Sequence, residues 1–68
     1  MEVQSLGKSV IIRVKDIPED VGVSIAQVKR MERAGLFPRK RRIGPGVVGY
    51  LREEVERWAR ELPVAEGE

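Results

Sequence analysis

The sequence predicts a mainly α fold: three short helices with one small β-hairpin. Three observations carry that expectation. Two helical segments are separated by only Gly22, Val23 and Ser24, the spacing of a helix-turn-helix. Gly44-Pro45-Gly46 lies between two extended stretches, Arg39 to Ile43 and Val47 to Tyr50, and supplies both the free and the fixed φ of a tight turn. Beyond it, Leu51, Val55, Trp58 and Leu62 recur at spacings of four, three and four. That is the stripe of an amphipathic helix, and Pro63 ends it.

Taken in order, residues 1–9 show no periodicity and are expected to be mobile. The stretch Val10 to Val14 has β-branched residues that suit a short strand or an extended lead-in packed on the core. "KDIPEDVG" reads as a helix of about two turns, because Pro18 near a helix start removes a donor that is unpaired there anyway. Ile17 and Val21 share one face, and Gly22 can end the element. Ser24 is a good N-cap, Gln27 three residues on completes a capping-box pattern, and Val23 with Val28 sits as a hydrophobic staple. Ile25, Val28 and Met31 give the second helix its apolar edge. Gly35 suits the C-cap, and Pro38 forbids a return to helix. Leu36 and Phe37 are expected to seal the core from that side. The ordered domain is placed at 10–62, with 63–68 as a disordered acidic tail.

A chain of 68 residues holds one domain with one small core. It has neither Cys nor His, so disulfides are excluded and a structural zinc would have only carboxylates for ligands. No metal and no cofactor is expected. The longest uninterrupted apolar stretch is Val10 to Ile12, which predicts no transmembrane helix, no signal peptide and a cytoplasmic product. Core positions are assigned to Ile17, Val21, Val28, Met31, Phe37, Tyr50, Val55 and Trp58; so small a domain needs its few large side chains inside. An enzyme is not expected. No Gly-rich phosphate loop and no nucleophile with a base is visible, and Glu53 and Glu54 suit a helix start for purely structural reasons.

Charge says more. The net charge of +2 hides a segment, Lys29 to Arg42, with seven basic residues against one acid, Glu32; from Glu53 onward six Glu face two Arg. A polyanion is the natural partner, and a well-solvated basic face is the plain alternative. With Ile25, Val28 and Met31 turned inward, the second helix presents Ala26, Gln27, Lys29, Arg30 and Arg33. A helix fits the DNA major groove. Gln27 suits adenine, Lys29 or Arg30 suits guanine, and Ala26 permits close approach or contact with a thymine methyl. Arg33 suits phosphate or base, and equally the negative end of its own helix. Arg39, Lys40, Arg41 and Arg42 stand at the hairpin entrance as phosphate contacts, about half of them able to face one way. Gly44 and Gly46 let the turn lie close to a backbone, or serve the turn alone.

On these residues the chain resembles the AlpA-like phage and prophage regulators, within the wider excisionase and MerR-type group. The resemblance rests on "IRVKDIPEDVG", the Ser-capped "VSIAQVKRMERAG", Phe37-Pro38, Gly49-Tyr50, and Glu54, Val55 and Trp58. It runs from about Ile12 to Leu62. It implies a winged helix-turn-helix with the second helix in the major groove and the wing on the minor groove or backbone. It carries recognition roles onto Ala26, Gln27, Lys29 and Arg30, and wing roles onto Arg41, Arg42 and the Gly44–Gly46 turn. Two positions depart: Ile25 replaces a residue that is often polar or basic, and Tyr50 takes the slot usually held by Trp.

The resemblance implies a sequence-specific double-stranded DNA-binding protein acting as a recombination directionality factor, a transcriptional regulator, or both. An integrase is an implied partner, and head-to-tail self-association on DNA is suggested by the opposite charges of the wing region and the last helix. The alternatives are the DNA-binding domain of a phage terminase small subunit, and an adaptor docking an acidic protein through the basic edge. RNA is disfavoured, since Tyr50 is expected in the core and leaves no exposed aromatic platform.

Overall fold

The computed structural model describes residues 9–67. Its elements are β1 (Ile11–Ile12), a 3₁₀ turn (Val14–Asp16), α1 (Ile17–Val21), α2 (Ile25–Arg33), β2 (Arg41–Gly44), β3 (Val47–Leu51) and α3 (Arg52–Arg60). The fold is the expected winged helix-turn-helix, three helices plus a wing. The expected N-terminal helix proves to be a 3₁₀ turn running into a single short α-helix. Pro18 lies in the first turn, and Gly22 closes α1 at φ 87° with its N–H on the Pro18 carbonyl at 3.0 Å.

Helix α2 is built from its own caps. Ser24 takes extended backbone, and its Oγ accepts the Gln27 N–H at 3.1 Å. The Gln27 side chain does not return to Ser24; its amide oxygen accepts from the Arg30 guanidinium, so only the serine half of the capping box forms. At the other end Gly35 has φ 79°. Its N–H reaches the Glu32 carbonyl at 3.1 Å, and the Leu36 N–H reaches that of Met31 at 2.7 Å. This is a Schellman closure, and the positive φ explains the glycine.

The lead-in strand does more than pack. β1 pairs antiparallel with β3, Ile11 opposite Leu51 and Ile12 opposite Tyr50, so the hairpin becomes a three-stranded sheet in the order β1-β3-β2. The Arg52 N–H extends this ladder to the Val10 carbonyl at 2.8 Å. In the wing, Arg41 pairs with Gly49, Arg42 with Val48 and Gly44 with Val47, leaving Ile43 as a bulge. Pro45 and Gly46 form the tip, and Gly46 takes φ 69°. β2 begins at Arg41, so Arg39 and Lys40 are its connector; Leu51 lies in the strand and not in the helix.

The core consists of Ile12, Ile17, Val28, Phe37, Tyr50 and Val55, with Val21, Val23, Ile25, Met31 and Trp58 among those packed against it. Each fully buried side chain of this kind is worth about 1.5–3 kcal/mol. Phe37 meets Tyr50 edge-on at 5.3 Å and Trp58 at 4.6 Å between ring centroids. Of the expected core set, Val21, Met31 and Trp58 are half-buried, and Ile12 joins from the strand.

Leu36 does not seal the core: the residue is 64% exposed. Its backbone is what the fold uses, with the N–H closing α2 and the carbonyl accepting from Trp58 Nε1 at 2.8 Å. Leu62 is also exposed, because α3 stops at Arg60 before the stripe reaches it. The expected mobile N-terminus lies outside the described residues except for Ser9, whose carbonyl accepts from the Arg52 guanidinium. Pro63 to Gly67 form neither helix nor strand.

Candidate nucleic-acid interface

Because Ile25, Val28 and Met31 face the core, the remaining side of α2 is open. Ala26, Lys29, Arg30 and Arg33 are exposed, while Gln27 is half-buried. Gln27 and Arg30 are bonded to each other, so either must exchange that partner before touching a base. Lys29, Arg30 and Arg33 form no ion pair with another described residue.

The cations of the wing are not all without partners. Arg39, Lys40, Arg41 and Arg42 are all exposed, but two of the four already have partners. Lys40 Nζ lies 3.1 Å from the Glu32 carboxylate, and the Arg41 guanidinium bonds Glu54 in the first turn of α3. Arg39 and Arg42 form no ion pair with another described residue. Gly44 is half-buried and Gly46 is exposed at the tip. Arg41, expected to face phosphate, is in this structure a tie between wing and helix while its side chain stays exposed.

Glu32, the one acid in the basic segment, is the residue that sequence reasoning missed. It accepts from the Tyr50 hydroxyl at 2.7 Å, from the Lys40 backbone N–H at 3.1 Å and from Lys40 Nζ at 3.1 Å. Burial pushes its pKa up, but the hydrogen bonds from Tyr50 and Lys40, with the Lys40 charge, prevail and hold it below the usual carboxylate range. The Tyr50 hydroxyl is shifted upward by burial and by the adjacent carboxylate, so it stays a donor. The Lys40 ammonium also stands over the Tyr50 ring, 5.7 Å from its centroid. Glu54 is held below its ordinary value chiefly by the hydrogen bond from Arg41.

Gly49 has a steric reason. A Cβ there would lie 2.6 Å from Ile11 Cγ2, 3.0 Å from Ile43 Cδ1 and 3.2 Å from the Ile12 carbonyl. With strands on both sides, β3 has no room for a side chain at this point.

These elements bring the two basic sets together. A cleft of about 360 Å³ opens between α2 and the wing root, lined by Lys29, Glu32, Arg33, Arg39 and Lys40. Among the described residues no group of three His, Cys, Asp or Glu side chains could hold a metal ion, and no helix is long and apolar enough to cross a membrane.

Residues 10–62 match the family described as Prophage CP4-57 regulatory protein (AlpA). The chain belongs to this family. The match covers the domain from the lead into β1 to just past α3, so the AlpA assignment and the winged architecture rest on the same residues. No curated protein and no solved structure matches the chain. Both departures from the expected AlpA pattern have local causes. Ile25 is half-buried against the core, and Tyr50 fills the aromatic slot while its hydroxyl gains Glu32 as partner.

Proposed function

We propose that this phage regulatory protein binds double-stranded DNA sequence-specifically, with α2 in the major groove and the wing on the adjacent backbone or minor groove. It then acts in prophage excision, transcription or both, in the cytoplasm, by binding and not by catalysis. The observation that carries this reading is the juxtaposition in one cleft of cations from the open face of α2 and from the wing root. A base-reading element beside a phosphate-reading element is what duplex recognition requires.

Selection from a random duplex pool, followed by titration, tests it. Arg30→Ala should lose about 1–3 kcal/mol of preference for the selected sequence. Arg42→Ala should weaken binding to every duplex alike and flatten its salt dependence. A parent protein that binds no duplex at low salt would turn the reading towards an adaptor for acidic proteins.

Contact between neighbouring copies on DNA is part of the proposal. It is motivated by the exposed acids Glu53, Glu56 and Glu61 at the far end of the chain from the basic cleft. Independent filling of adjacent sites would refute that part. An integrase partner is tested by co-binding on attachment-site DNA.

A further inference from the structure

We propose that the cleft between α2 and the wing root seats one sugar-phosphate strand of the duplex, and that Tyr50 keeps Glu32 turned away from it. This rests on the duplex-binding reading above. A helix in the major groove and a wing on the neighbouring minor groove straddle the backbone strand that separates the two grooves. That strand has to run between the two elements. The cleft occupies that place.

Its lining fits a polyanion once Glu32 is accounted for. Lys29 and Arg33 are four residues apart and share one face of α2. Arg39 and Lys40 come from the connector into β2. A carboxylate among them would repel phosphate, but only 14% of the Glu32 side chain is exposed. Its oxygens are turned to the Tyr50 hydroxyl and to both Lys40 donors. Lys40 balances the charge of Glu32, and Lys29, Arg33 and Arg39 remain for the strand. Tyr50 is the donor that comes from the core side. Without its hydroxyl the carboxylate loses a 2.7 Å hydrogen bond and can swing into the cleft. Tyr50 is therefore a positioning residue, acting on DNA through Glu32.

The test titrates short random-sequence duplexes against the parent protein over a range of salt, beside Arg33→Gln, Arg39→Gln, Tyr50→Phe, the double variant Tyr50→Phe/Glu32→Gln, and Arg60→Gln. Arg60 lies on α3 outside the cleft and controls for net charge. Thermal melts establish that each variant is folded. Arg33→Gln and Arg39→Gln should each reduce the slope of log affinity against log salt by about 0.9 per lost phosphate contact, while Arg60→Gln leaves it unchanged. Tyr50→Phe should weaken binding several-fold, and adding Glu32→Gln should restore it, which a merely structural role for the hydroxyl would not allow. Equal flattening by Arg60→Gln overturns the cleft. A double variant as weak as Tyr50→Phe, or Tyr50→Phe at parental affinity, overturns the role of Tyr50. Should Tyr50→Phe fail to fold, the two arginine variants still decide whether the cleft holds the strand. A parent that binds no duplex removes the underlying DNA reading instead, and that shows in the first titration.

Discussion

In α2, both ends are closed by residues of its own segment, Ser24 at the start and Gly35 with Leu36 at the finish. The wing has no such closure. Its geometry depends on β1 from the far end of the chain, on Glu32 from α2, and on Glu54 from α3. The two elements proposed to face DNA thus carry similar side chains but are held by local and by long-range contacts respectively. The difference also decides which charges are free. Locally capped α2 presents its cations openly, whereas the wing uses Lys40 and Arg41 to hold itself in place.

Substitutions can break this contrast, and the largest effect belongs to Gly49. Gly49→Val places atoms where Ile11, Ile43 and the Ile12 carbonyl already stand. The cost should exceed the about 1–3 kcal/mol usual for overpacking, because backbone is among the obstacles. A melt followed by circular dichroism should show no cooperative transition; a parental midpoint would mean that β1 does not pair with β3.

Trp58→Ala should cost about 3 kcal/mol, the low end for a large aromatic, since the side chain is half-buried. Trp58→Phe keeps the packing on Phe37 and loses only the bond to the Leu36 carbonyl, about 1 kcal/mol. Urea unfolding of both variants separates the ring from its N–H.

Ser24→Ala should cost about 1 kcal/mol. Hydrogen exchange should quicken first in α2 and leave the wing amides protected. Uniform loss of protection would show that the two elements are not independently held.

The smallest effect concerns pH. The folded-state pKa of Glu32 is depressed, so its contribution to stability is complete above the ordinary glutamate value of 4.5 and is lost as pH falls through the lower folded value. Glu32→Gln should remove that part of the acid sensitivity, seen as a flatter dependence of the urea midpoint on pH.

Which parts of the fold were legible follows from the same contrast. Ser24, Gly35 and the Ile25, Val28, Met31 spacing announce α2 because caps and helical period are local. The Gly44-Pro45-Gly46 tip is announced for the same reason. Nothing local tells that Ile11 and Ile12 pair across about forty residues with Leu51 and Tyr50, since a two-residue strand has no period to read. The basic segment was visible, but the partners of Lys40 and Arg41 were not, because Glu32 and Glu54 reach them only after folding. A lone acid inside so basic a run was the available signal. Leu36 misleads for the opposite reason: its apolar side chain suggests burial, while the structure uses its amide and carbonyl.

The sheet order leaves β2 on an outer edge. An outer strand offers unpaired backbone groups to any other extended chain, the usual start of aggregation. Here that strand bears Arg41 and Arg42, is interrupted by the bulge at Ile43, and runs into Pro45. Side-by-side stacking of two such strands would set arginines against arginines. Arg42, proposed to draw in DNA, therefore also discourages the protein from polymerising through its own sheet, so neutralising it for a binding study carries a solubility cost.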